Sequence, residues 1–209
     1  MILYEGFSYN FLADPIGKKY DEIKLFNSNN TTLEEEINLL SKIPLLFQPS
    51  TNWRYSVSMD VMGRIIEIVT KKSLQSTLQE KIFYPIGMNE TSFSVPKNKI
   101  NRIMSSYEFD QNFSKLMNHV FDPQKIGNYG YPYNKDKTYA RGGHGLFSTP
   151  HDYSLFAQML LTGKTADGTE ILKLETIKEM TKNHLDSSFL PLEILSVGTI
   201  KVDDYVNDL

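Results

Sequence analysis

Of the residue types that can carry a reaction, the chain offers serines, tyrosines, lysines and four histidines, and it has no cysteine. That absence excludes a thiolate nucleophile, thiolate metal ligands and disulfides together, without indicating a compartment. His119, His144, His151 and His184 stand far apart, and no two share the helical spacing that puts a pair of ligands on one face. No metal or other cofactor is therefore expected. A serine nucleophile needs a base or a lysine amine within hydrogen-bond reach of its hydroxyl. Ser94-Val-Pro-Lys97 has the required spacing, but Pro96 does not fit a helix interior, so the string reads as a decoy. Glu34, Glu35 and Glu36 point in different directions on a helix and read as its solvated start, not as a paired acid and base. Arg141-Gly-Gly-His-Gly145 lacks the lysine or third glycine of phosphate-cradling loops and reads as a tight turn into the next helix. Tyr55, beside Trp53, reads from composition alone as a half-buried aromatic.

Several elements must position these residues. Thr31 and Thr32 each precede a glutamate by three, the capping-box pattern, and predict a helix from Leu33 to about Lys42, stopped by Pro44. The clearest helix is Ser58 to Thr70, where Val61, Met62, Ile65, Ile66 and Val69 form the apolar stripe, with Asp60, Arg64 and Glu67 mostly opposite. Another opens at Ser73, with Leu74, Leu78 and Ile82 on one face, and is expected to close before Pro85 and Gly87. Thr149, Pro150 and Asp152 give a hydroxyl cap, a first-turn proline and an acid at the positive end of a helix that buries Leu155, Phe156, Met159 and Leu160 and ends at Gly163. A last helix is placed at Glu175 to Asn183. Residues 98 to 138 and 190 to 209 carry no clear pattern.

The 209 residues are 40% hydrophobic and 22% charged, enough for one good-sized core. The net charge of −3 and scattered lysines argue against nucleic acid as a partner. No apolar run approaches the roughly 20 residues of a membrane span, and the first ten residues do not read as a secretory signal. The compartment stays open.

Two spaced stretches carry a resemblance. Trp53-Arg-Tyr-Ser-Val-Ser-Met-Asp-Val-Met-Gly-Arg-Ile-Ile-Glu67, with Phe83-Tyr-Pro-Ile-Gly-Met-Asn-Glu-Thr-Ser-Phe93, is similar to the β-lactamase-related serine hydrolases, which include class C β-lactamases, penicillin-binding proteins, D-alanyl-D-alanine carboxypeptidases and esterases. Gly142-Gly-His-Gly-Leu-Phe-Ser-Thr149 with Asp152 resembles the same family's turn and helix, and Phe7-Ser-Tyr9 looks like the end of its His-Thr-Ser-Gly segment. The resemblance covers one partial domain over 1–209, most strongly residues 44–97 and 139–184.

The resemblance implies the α/β (α+β) serine β-lactamase-like fold, represented mainly by its helical region with most of the central antiparallel sheet missing. It implies acyl-enzyme chemistry on a small ester, amide, β-lactam or peptide-like substrate, with Tyr55 as the catalytic tyrosine. A phenol of pKa about 10 is a poor base at neutral pH unless a neighbouring charge favours its ionised form. The family's helical Ser-x-x-Lys and its third motif are not found here; Lys164-Thr165-Ala166, in a turn before Asp167-Gly168, is rejected as the latter. Val57 stands where the lactamases carry asparagine, and losing that amide removes a polar substrate contact and points toward esterase-like members. Three readings stay open: a truncated hydrolase that is inactive alone, a non-catalytic binding or regulatory module, and an unrelated helical protein.

Overall fold

The computed structural model describes residues 4–12, 14–26, 31–104, 108–110, 115–117 and 139–184. Seven helices are present among them: α1 Pro15–Glu22, α2 Leu33–Leu40, α3 Ser58–Thr70, α4 Leu74–Leu78, α5 Tyr84–Ile86, α6 Pro150–Thr162 and α7 Leu174–Thr181. A π-helical turn, Gln79–Phe83, joins α4 to α5, and a 3-10 helix covers Lys97–Arg102. Strands β1, Glu108–Asp110, and β2, Lys115–Met117, pair antiparallel with Phe109 opposite Leu116. The 190–209 tail lies outside the described residues.

Local signals place the helix starts. Thr32 accepts from the Glu35 amide while the Glu35 carboxylate accepts from the Thr32 amide, so two otherwise orphaned donors are satisfied at once. Thr149 caps α6 through the Asp152 amide, Pro150 fills its first turn, and Gly163 closes it as expected. Asp14 caps α1 by accepting from the amides of Ile16 and Gly17 at 2.9 and 2.7 Å. The expected break before Pro85 does not occur. Proline has no N–H to give an α-helical ladder, and the wider π turn just before it lets the chain stay helical to Ile86.

Two main cores form. Tyr9, Leu12, Ile16, Tyr20, Leu25, Leu40 and Val57 join α1, α2 and the chain entering α3. Phe83, Ile86, Met88 and Met159 join α5 to α6, with Leu155, Phe156 and Leu160 packed against them, as the apolar pattern of α6 predicts. Leu74, Phe93 and Ala140 form a smaller group, with Ile66 and Leu78 packed against it.

The orientation of α3 divides its apolar stripe: Val61 and Ile66 pack against core residues, and Ile65 and Val69 turn outward. Its buried residues are Ser58, Asp60 and Gly63, whereas Ile65, Ile68 and Val69 are exposed. The small and polar side faces the protein because Asp60 finds buried partners there, and because a Cβ at Gly63 would come within 3.0 Å of Leu74 Cδ2. Arg64 is held by Glu34 at 2.6 Å and by Glu67 at 3.2 Å, tying α2 to α3. Glu36 is likewise not a solvated helix residue: it is buried, accepting from the Phe26 amide at 2.7 Å and the Thr31 hydroxyl at 2.6 Å.

The two stretches that carry the family resemblance meet in space. Ser92 and Phe147 exchange backbone hydrogen bonds of 3.0 and 2.8 Å. Asp152, expected only to face the helix end, is buried and accepts from the Glu90 amide and the Thr91 hydroxyl, both at 2.8 Å.

Candidate active site

Tyr55 sits in the segment that leads into α3, and its two neighbours fix it. Arg54 reaches back to Asp14 at 2.5 Å, while the buried Ser56 hydroxyl shares a 2.6 Å bond with Ser58, which in turn donates to Glu5 at 2.9 Å. Ser8 supports both arrangements, since its hydroxyl donates to Asp14 at 2.5 Å and its carbonyl accepts from the Val57 amide at 3.2 Å. With Arg54 tied to Asp14 and Ser56 to the buried Ser58, the Tyr55 ring stays at the surface, 48% exposed.

Beneath Tyr55 lies Tyr9, which the sequence marked only as part of the Phe7-Ser-Tyr9 string. The two ring centroids are 5.0 Å apart with planes tilted by 35°, and Phe11 stacks on Tyr9 at 4.7 Å and 16°. Below Tyr9 is an ion pair. Asp60 accepts from Arg141 Nε and Nη2, each at 3.0 Å, and from the Gly143 amide at 3.2 Å. Arg141 also lies over the Phe26 ring, 4.0 Å from its centroid, so the guanidinium is held in its plane and from its face.

The glycine pair of the 141–145 stretch has a packing cause that goes beyond a tight turn. A Cβ at Gly142 would fall 1.8 Å from the Met59 carbonyl oxygen, and one at Gly143 would fall 2.9 Å from Asp60 Oδ2 and 3.1 Å from the Tyr9 hydroxyl. Only hydrogen there lets the loop close on the start of α3. The signal that could have revealed this is an arginine directly before two glycines, together with a lone aspartate in the first turn of an apolar helix.

Electrostatics separate the groups. Burial first, then the charge of Asp60, pushes the Tyr9 phenol far above its ordinary value. Burial likewise raises Tyr139, with the Glu36 charge next. Burial lowers His144, against a smaller raising effect of Asp60.

The other sequence candidates are placed elsewhere. Ser94 precedes the 3-10 helix that begins at Lys97, with Pro96 between them, and its carbonyl is taken by the Ser92 hydroxyl, so the pair shares no helical turn. Lys164 lies in a turn, bridged to Glu170, where Thr165 accepts from the Thr169 amide. Val57 is in the first core cluster, fully buried, so its apolar side chain serves packing. His151 is exposed on α6, His184 bonds the Glu179 carbonyl, and His119 lies outside the described residues. Among the described residues no cluster of three or more His, Asp or Glu is placed to hold a metal, and no helix is long and apolar enough to cross a membrane.

A family model described as Beta-lactamase matches residues 6–193. This chain belongs to the β-lactamase family. A lovastatin esterase of Penicillium rubens is 31% identical over 185 residues, covering 86% of this chain and 42% of that protein. An uncharacterized protein of Mycobacterium tuberculosis is 28% identical over 181 residues, again 86% of this chain and 42% of its own length. The structure superposes on simvastatin synthase from Aspergillus terreus with a TM-score of 0.66 and 22% identity, covering 89% of this chain and 42% of that one. The β-lactamase-like fold is thus shared, and this family member spans 42% of the length of the first curated relatives it matches.

Proposed function

We propose that this chain carries the tyrosine-bearing lobe of a serine hydrolase that cleaves a small ester, amide or β-lactam through an acyl-enzyme. Tyr55 is its proton-transfer group. In that chemistry a serine hydroxyl attacks the carbonyl, Tyr55 takes the serine proton and returns it to the leaving oxygen or nitrogen, and water then releases the acyl group. The nucleophile and its lysine come from sequence outside these 209 residues, so the chain by itself is inactive. An ester is favoured as substrate, because the lovastatin esterase is 31% identical over 185 residues.

The observation that supports this best is the setting of Tyr55: a phenol left at the surface by neighbours on both sides whose side chains are tied down, Arg54 by Asp14 and Ser56 by the buried Ser58. The test is labelling. The chain alone, treated with a fluorophosphonate or a penicillin probe, should take up no stoichiometric label on serine. Joined to the flanking segments of a relative that carries Ser-x-x-Lys, it should acylate, and Tyr55→Phe should lower turnover by roughly 100- to 10,000-fold with the fold intact. Stoichiometric labelling of the chain alone rejects the proposed inactivity. A joined enzyme indifferent to Tyr55→Phe rejects the role of Tyr55. A joined protein that folds but never acylates favours a non-catalytic binding module.

A further inference from the structure

Two phenols lie against each other in very different settings. Tyr9 is 8% exposed, held between Phe11 and Tyr55, while Tyr55 is 48% exposed. The space at the Tyr9 hydroxyl exists because residue 143 has no side chain, and the same space is bounded by Asp60 Oδ2. Asp60 is itself locked by both nitrogens of Arg141 and by the Gly143 amide. The hydroxyl of Tyr9 therefore has little freedom of position.

Of the two neighbouring phenols, Tyr9 is held protonated. Losing the proton from Tyr9 would place a second anion beside the Asp60 carboxylate in a buried setting, and burial and that charge both hold the proton on. Tyr55 faces water, which solvates a phenolate. A retained phenol O–H next to a phenolate donates a short, charge-assisted hydrogen bond to it.

We infer that Tyr9 is a positioning residue for Tyr55: its hydroxyl, at the space that Gly143 leaves open beside Asp60, donates a hydrogen bond to the Tyr55 oxygen, aims it and supports its ionised form. The inference rests on the reading of Tyr55 as the proton-transfer group, and it assigns to this lobe part of the task of making that phenol a usable base. No step beyond proton transfer is involved. The proton on Tyr9 stays on Tyr9, and the one that moves belongs to Tyr55.

The experiment uses the full 209-residue chain and does not require turnover. Tetranitromethane nitrates ionised tyrosines, and peptide mass analysis reads the rate at each position across pH 6.5–9. Tyr84 and Tyr153, 63% and 65% exposed, serve as internal references. The expected result is that Tyr55, although less exposed, is nitrated faster than both. Tyr9→Phe, which keeps the ring and removes only the hydroxyl, should slow Tyr55 by about 3- to 10-fold and move its rate profile to higher pH, leaving Tyr84 and Tyr153 unchanged. Phe11→Leu, which removes the other stacked ring, should leave the Tyr55 profile where it was. A Tyr55 rate in the unmodified chain no greater than that of the references overturns the inference, and this comparison stands even if Tyr9→Phe does not fold. An unchanged Tyr55 profile in a folded Tyr9→Phe variant overturns it as well. Because nitration reads the hydrogen bond and the joined enzyme reads catalysis, the inference and the reading beneath it fail in separate experiments.

Discussion

Asp60 and Arg141, 81 positions apart in the chain, form a two-bond ion pair at 3.0 Å in which the carboxylate has no exposed surface. The pair clamps the 141–143 turn onto the first turn of α3, directly below the two tyrosines. Removing one partner leaves an uncompensated buried charge, which costs about 3–5 kcal/mol, whereas replacing both with apolar residues of similar size is often neutral. Asp60→Ala should therefore lower the unfolding free energy by about 3–5 kcal/mol in urea titration, and Asp60→Leu combined with Arg141→Met should recover most of the loss. Equal losses from the single and double variants would show that the pair itself, not an orphaned charge, carries the stability.

The glycines of the same turn predict a graded pair of variants. Gly142→Ala meets the Met59 carbonyl at 1.8 Å, which backbone movement alone can relieve, so a loss of about 3 kcal/mol or more is expected. Gly168→Ala meets nothing within 4 Å and suffers only from its positive φ of 91°, so about 1 kcal/mol is expected. Thermal midpoints of the two variants check the order.

Asp14 links stability to pH. Burial pushes its carboxyl up, but the hydrogen bonds from Ser8, the Gly17 amide and Arg54, with the Arg54 charge, more than reverse this and hold it below its ordinary 3.8. A carboxyl lowered in the folded state stabilises above its unfolded value, and that contribution is lost as pH falls through the lowered one. Asp14→Ala should cost about 1–2 kcal/mol at pH 7, chiefly as a lost helix cap and an abandoned Arg54, and the gap to the parent chain should close below pH 4. Unfolding curves from pH 7 to pH 2 measure it. A gap that is constant with pH would mean that folding leaves the Asp14 carboxyl where it is in the unfolded chain.

The exposed side of α3 sets solution behaviour. Ile65, Ile68 and Val69 face outward, as do Leu161 at the end of α6 and Met180 on α7. Each large aliphatic side chain left in water forgoes about 1.5–3 kcal/mol of burial, and clustered ones attract partners. The isolated chain should bind a hydrophobic dye, tend to aggregate and unfold without a sharp transition. Ile68→Lys with Val69→Glu should reduce dye binding while changing stability by less than about 0.5 kcal/mol. A soluble monomer that binds no dye and melts cooperatively would indicate a lobe adapted to stand alone.

The helix starts were legible because their causes are local. Thr32 with Glu35, Thr149 with Asp152, and Gly163 after Thr162 are groups within a few residues of one another, and the hydrogen bonds they make are decided by spacing alone. The family was legible for a related reason: the motif around Tyr55 and the one ending at Asp152 survive as short strings. What those strings hold together was not legible. Periodicity set Asp60 opposite the apolar stripe of α3, and the structure buries it with Ser58 and Gly63, because a carboxylate can enter the interior only where a cation and an amide meet it, and here both come from the far 141–143 turn. Other contacts between separate segments put Val57 in the core with Tyr9 and Leu40, gave the Glu36 carboxylate the Phe26 amide and set Tyr9 against Tyr55. The sequence by itself determined the family and the helices with a cap and an apolar pattern, though not α1, whose Asp14 cap and Pro15 start went unread. The faces those helices turn inward, and the groups gathered beneath Tyr55, were decided by partners that only the folded chain brings within hydrogen-bond distance.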